Sequence, residues 1–330
     1  MLSMTSKTVG IDISKDKLDV AIYQDGAYRL AVFSNDKDGF RRFAKWLKKH
    51  KAKDAHVCLE ATGRYGDAVA MYLHECRYAV SVVNPARIKA YGDSQLQRNK
   101  TDRQDAKVIA HFCATQAPKL WTPPSPIVQE LQALSRRLKT LKTDRTRELN
   151  RQQSGLTSKT VLTAIAAHIA FLNDQITTIE QRLRDLIDQD PELRQQYELL
   201  TSIPGIGNIT AANFLAEVPD VTRFESASQL AAYAGLTPRR HESGSSIHRR
   251  GRLVKTGNVH FRTAFFMPAL SAIRYNPIVK ALAARLKARG KCRMSIVGAA
   301  MRKLVHLAFG VLKHRQPFDP DYLVNLQVAS

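Results

Sequence analysis

A heptad seam in the middle of the chain constrains its fold more than any other feature. Ile127, Leu131, Leu134, Leu138 and Leu141 recur at spacings of 4, 3, 4 and 3. Ile165, Ile169, Leu172, Ile176, Ile179, Leu183 and Leu186 repeat that rhythm. A 3.5-residue period lines apolar side chains along one stripe of a long helix, and the stripe must be covered. A polar stretch near Arg151–Lys159 separates the two runs. The seam therefore folds back as an antiparallel coiled-coil hairpin, meets another chain, or does both. Its role is architectural: it spaces two domains or oligomerises them. The proline-rich segment Lys119–Pro126 (KLWTPPSP) marks the boundary before it. The expected division is 1–120, 121–198 and 199–330, within the two or three domains that 330 residues allow.

The first part reads as α+β. Thr8–Ser14, Leu18–Tyr23 and Tyr28–Phe33 are short β-rich runs, the last two joined by the turn signal Gln24-Asp25-Gly26. Asp36–Lys49 sets Phe40, Phe43, Trp46 and Leu47 at helical spacing. His56–Glu60 and Ala79–Val83 are further strands on either side of a helix ending near Cys76, and a helix over about 101–115 follows. A three-stranded meander followed by strand–helix–strand units describes a mixed sheet with helices packed on it.

Four carboxylates stand out in this part. Asp12 lies inside the first strand, Glu60 ends the fourth, and Asp102 and Asp105 lie three apart on one helical face. An acid inside an apolar strand is costly to bury unless it is paired or binds a cation. Carboxylates brought close repel unless a divalent ion neutralises them. Two Mg²⁺ ions about 3.5–4 Å apart would do so and would serve phosphoryl transfer. Taken alone, Asp102 could equally cap its helix beside Thr101. Jointly the acids resemble the ribonuclease-H-like arrangement. The actin and sugar-kinase fold also opens on Gly-Ile-Asp, but its second phosphate hairpin and adenosine-site glycines are missing from the sequence.

Charge points to the partner. The chain has 51 Lys and Arg against 29 Asp and Glu, a net charge of +22. Ser243 to Phe318 holds 16 basic residues and no acid, where ordinary surfaces mix both signs. A polyanion is implied, and nucleic acid fits better than a membrane surface, since no amphipathic helix with a strong Trp/Phe face coincides with the basic cluster. No run of 18 apolar residues occurs, so no spanning helix is expected. Met1–Lys7 lacks the apolar core of a signal peptide. The four cysteines are scattered without a CxxC pair, which argues against a disulfide scaffold or zinc knuckle. A reduced cytoplasmic protein, nucleoid-associated when on DNA, is expected.

The last part reads as mostly helical. Ile203-Pro204-Gly205-Ile206-Gly207 before a helix at Thr210–Glu217 has the form of a helix-hairpin-helix element, whose Gly205 and Gly207 would let amides reach a DNA phosphate. An ordinary helical corner needing glycine is the alternative. Further on, Ser243 sits in a Ser/Gly run flanked by Arg239, Arg240, Arg249, Arg250, Arg252 and Lys255. A serine can attack a phosphodiester where guanidinium groups balance its charge, with His241 or Glu242 available as base. On composition alone, a flexible loop whose arginines hold backbone is the simpler reading, and Tyr233 and Tyr275 are other nucleophiles allowed by spacing.

From Gly10-Ile11-Asp12 to about Lys313, this sequence resembles the DEDD-type insertion-sequence transposases, bridge-RNA-guided serine recombinases with a RuvC-like N-terminal domain. That resemblance implies an acidic tetrad at Asp12, Glu60, Asp102 and Asp105 binding Mg²⁺, and a nucleophile at Ser243. It implies donor and target duplex DNA and a structured guide RNA as partners. Because Ser243 lies beyond the coiled coil from the acids, a homo-oligomer, dimer or tetramer, is expected to assemble the site, with sharing between chains as one arrangement. Two other classes stay open on the residues themselves. One is a metal-only nuclease or junction resolvase, and the other a non-catalytic architectural nucleic-acid binder.

Overall fold

The computed structural model describes residues 7–61, 64–95, 101–243, 247–254 and 256–321. They fall into two compact units, Met1–Pro123 and Pro124–Ser330.

The first unit is built on β1 (Thr8–Ile13), β2 (Lys17–Gln24) and β3 (Ala27–Ser34), followed by α1 (Lys37–Lys49), β4 (His56–Glu60), α2 (Arg64–Glu75), β5 (Ala79–Val83), α3 (Pro85–Ser94) and α4 (Asp102–Gln116). The strands form one mixed sheet in the order β3-β2-β1-β4-β5. The β1–β2 and β2–β3 pairs are antiparallel, and the β1–β4 and β4–β5 pairs are parallel. Strand alternation splits the core in two. Val9, Ile11, Ile13, Leu18, Val20 and Ile22 pack with Phe40, Phe43 and Leu47 of α1 and Val69 and Leu73 of α2. The intervening positions face α4, which meets Cys58 of β4 through Ile109, Phe112 and Cys113 and Ala21 of β2 through Ala106 and Ala110. The helix α3 is not among the elements the sequence predicts: its apolar signal reduces to one buried residue, Ile88.

The second unit opens with α5 (Pro126–Gln152) and α6 (Lys159–Asp188). The Lys142–Glu180 pair at 2.7 Å, the Arg145–Asn173 bond at 3.2 Å and the Glu148–His168 approach at 3.6 Å run in opposite senses along the two helices. These helices are therefore antiparallel, and the heptad seam closes within the chain. Leu131, Leu138 and Leu141 are buried with Leu172, Ile176, Leu183 and Leu186. Beyond the hairpin come α7 (Pro191–Thr201), α8 (Asn208–Glu217) and α9 (Ala227–Tyr233). A two-stranded hairpin follows, β6 (Pro238–Ser243) with β7 (Ile247–Leu253), where sequence alone favoured a loop. The chain continues through α10 (Val259–Ala264), α11 (Phe266–Tyr275), α12 (Pro277–Ala288) and α13 (Arg293–His314). By length and composition α13 is apolar enough to cross a membrane. Here its Leu304, Val305 and Ala308 are fully buried in the helical core.

Candidate active site

Three of the four predicted acids, Asp12, Asp102 and Asp105, come near one another where α4 crosses the sheet. Gly10 and Asp12 are alternate residues of β1 and share the face toward α4. A Cβ built on Gly10 would stand 2.2 Å from both the Ala106 carbonyl oxygen and the Ala110 nitrogen, so only glycine admits the helix this close. Thr8 Oγ1 donates to the Ala110 carbonyl at 2.8 Å. Along α4, Ala110 therefore lies over the start of β1, and the N-terminal turn bearing Asp102 and Asp105 lies toward its end, beside Asp12. Ile11 pairs with Leu59 on parallel β4, and Glu60 is the next residue there, at the carboxyl end of the sheet.

The carboxylates act on one another through their charges. The Asp12 carboxyl is pushed up to about 6, first by burial and then by the charges of Asp105, Asp102 and Asp19. Asp19 is a fifth acid, 3% exposed, directly opposite Asp12 in the β1–β2 register. Sequence reasoning missed it, although the argument that singled out Asp12 applies: Leu18 and Val20 claim the other face of β2. Lys17 was missed as well. Its Nζ lies 3.0 Å from Asp19 and donates to Asp102 Oδ2 at 2.7 Å. These two hydrogen bonds raise the lysine pKa, and the lysine in turn lowers that of Asp102. The capping alternative for Asp102 falls to its neighbour: Thr101 Oγ1 accepts from the Gln104 amide at 3.3 Å.

In donor chemistry alone, an all-carboxylate set suits a hard divalent cation. Among the described residues, no group of three or more His, Cys, Asp or Glu is gathered tightly enough to hold a metal ion. Lys17 is the cation that pairs with Asp19 and Asp102.

The residues singled out in the second unit divide. Ser243 is the last residue of β6, paired with Ile247 at the opposite end of the hairpin from the Pro238–Leu253 pair. Arg239 and Arg240 lie on β6, and Arg249, Arg250 and Arg252 on β7. Lys255 lies outside the described residues. At the hairpin's base, Asn258 donates to Glu217 Oε2 at 2.7 Å and to the Tyr233 hydroxyl at 2.9 Å. Arg262 donates to the Ala234 carbonyl at 3.1 Å. Burial raises the Tyr233 phenol, and its bond to Asn258 fits an anchor better than a nucleophile. Gly205 has φ of +105°, and a Cβ there would lie 2.7 Å from the Ala272 side chain, so this glycine serves packing against α11. Gly207 precedes α8 in open space.

Known transposase families match both parts of the chain. A DEDD-type transposase model matches residues 9–161, which include all four predicted acids. The model described as transposase of the IS116/IS110/IS902 family matches residues 197–284, which include Ser243. The pilin gene-inverting protein of Moraxella bovis is 35% identical over 320 residues, 96% of this chain and 98% of that one. The protein of the same name from Moraxella lacunata is likewise 35% identical over 320 residues, with the same coverage of both chains. The transposase for insertion sequence element IS1111A of Coxiella burnetii is 28% identical over 221 residues, 59% of each chain. On this likeness across nearly its whole length, the chain belongs to the IS116/IS110/IS902 family of insertion-sequence transposases, enzymes that cleave and rejoin DNA.

Proposed function

We propose that this chain is a site-specific DNA recombinase that breaks and rejoins strands through Ser243, with the acids of the first unit preparing the phosphate. The observation that carries this reading is the placement of the acids: Asp19 stands opposite Asp12 in the sheet, and Lys17 joins Asp19 to Asp102 at the start of α4. By family likeness a divalent cation, two Mg²⁺ ions, would be held by Asp12, Glu60, Asp102 and Asp105 once these draw closer than they stand here, and would supply Lewis-acid activation of the scissile phosphate. The Ser243 hydroxyl gives up its proton and attacks phosphorus, a P–O bond of the DNA breaks, and a hydroxyl end leaves. Serine then holds the other end as a phosphate ester. A hydroxyl from the exchanged strand attacks that ester and releases the serine. Arg239, Arg240, Arg249, Arg250, Arg252 and Lys255 would balance the phosphate charge, and Gly207, in open space before α8, would let the α7–α8 turn approach the DNA backbone.

Similarity to proteins named for gene inversion and for transposition supports donor and target DNA as substrates. Family likeness extends this to a structured guide RNA and to an oligomer working in the cytoplasm on the nucleoid. In that scheme 1–120 is the RuvC-like acidic part, 121–198 the coiled-coil spacer and 199–330 the serine part with a helix-hairpin-helix element.

Incubation with DNA, Mg²⁺ and co-expressed RNA, followed by a search for a covalent protein–DNA adduct, tests the proposal. The expected adduct maps to Ser243 and is lost in Ser243→Ala. Strand cleavage that persists in Ser243→Ala would instead support a metal-only nuclease, and full function after Asp12→Asn with Glu60→Gln an architectural binder.

A further inference from the structure

The acid-free stretch of the sequence builds a second feature, separate from the serine hairpin. Within the second unit, α11, α12 and the start of α13 enclose a cleft of about 860 Å³. Arg274, Lys280, Lys287, Lys291 and Arg293 line it, and no carboxylate does. None of these five is in an ion pair among the described residues. Its remaining lining is mostly apolar, including Leu270, Ile273 and Val297. At the mouth, Tyr275 is 71% and Met267 67% exposed. A solvated helical face would scatter its charges over a convex surface and would not combine them with an apolar lining and a bare aromatic ring.

We propose that this cleft binds single-stranded DNA, with phosphates on the five cations and a base stacked on Tyr275. A duplex buries its base faces and would leave the apolar lining and the tyrosine ring without a partner. An unpaired strand offers both phosphates and base faces, which is the combination that basic grooves with aromatic platforms hold. RNA is distinguished by its 2′-hydroxyl, which is read by hydrogen bonds. Apart from Tyr275, Ser271 is the only uncharged hydrogen-bonding side chain in the lining, so little here rewards that hydroxyl. The assignment rests on the recombinase reading in one respect: cleavage and rejoining expose the unpaired strands that would occupy the cleft.

Fluorescence anisotropy on the full chain tests it, with a labelled oligothymidylate, a duplex of equal length and an oligouridylate. Tyr275→Ala should weaken oligothymidylate binding about tenfold, the loss of one stacked base, and leave duplex binding unchanged. Lys287→Gln with Lys291→Gln should lower the salt-dependence slope by about 1.4, since each phosphate contact on a single strand contributes about 0.7. Oligothymidylate carrying iododeoxyuridine should photocross-link to Tyr275. Equal losses on strand and duplex, tighter binding of oligouridylate, or unchanged affinity without a cross-link at Tyr275 would each overturn the proposal. Ser243→Ala, measured in parallel, separates the two ideas: failure of the serine mechanism appears in its cleavage, and failure of the cleft appears in anisotropy.

Discussion

At the residue scale, the acid cluster makes two opposite demands on stability. Asp12 titrates near 6 in the folded chain against an ordinary 3.8. Between those values the folded state binds more protons than the unfolded one, so this group's contribution weakens as pH rises through that window. At neutral pH its ionised form opposes folding. Asp12→Asn should therefore raise the melting temperature at pH 7 in chelator, and the gain should shrink to nothing as pH falls toward 4. The same variant should lose strand cleavage, as expected of an acid kept for chemistry at a cost in stability. Lys17 behaves in the reverse way. Its removal leaves the buried Asp19 without its ion-pair partner, a loss worth roughly 1–3 kcal/mol for an unsatisfied buried group. Lys17→Met should lower the melting temperature in chelator, and adding Asp19→Asn should restore most of it. A double-mutant cycle showing additive losses would place the two side chains apart.

At the element scale, α4 positions the acids, and a single glycine positions α4. In Gly10→Ala the new methyl would meet backbone atoms of α4 at 2.2 Å, which no rotamer change relieves. Overpacking of this kind costs about 1–3 kcal/mol, and the helix must shift by a sizeable part of that overlap. Gly10→Ala should lower thermal stability and reduce cleavage more than DNA binding, which anisotropy and adduct yield together would show. Much of this element was legible beforehand. Strand alternation gave the sheet and the inward Asp12, and the i, i+3 spacing gave the shared face of Asp102 and Asp105. The heptad rhythm gave two long helices. Elements with little periodic signal were lost. The helix α3 buries only Ile88, and β6 and β7 are so rich in Arg, His, Ser and Gly that no alternation survives to mark them. Lys17 was illegible for a different reason: a lysine at the start of a strand acquires meaning only when a helix 85 residues later brings Asp102 to it.

At the scale of the whole molecule, opposite chemistries are carried by different units. The acids belong to Met1–Pro123, and Ser243 and the acid-free stretch belong to Pro124–Ser330. Between them in sequence stand two helices of 27 and 30 residues, each roughly 40–45 Å long at about 1.5 Å per residue. The mechanism proposed above requires metal-bound phosphate and nucleophile within bonding reach, so under it the acids and the serine would act on one phosphate. If that site is assembled between copies, two inactive variants can complement one another. Chains carrying Ser243→Ala keep their acids, and chains carrying Asp102→Asn keep their serine. Mixed with DNA, RNA and Mg²⁺, the pair should recover adduct formation toward the fraction of correctly mixed sites. The adduct should sit only on the Asp102→Asn chain, distinguished by a size tag. Recovery with that asymmetry requires the acids of one copy to serve the serine of another. Two variants that stay inactive together, each still folded and binding DNA, would place acids and serine in the same chain.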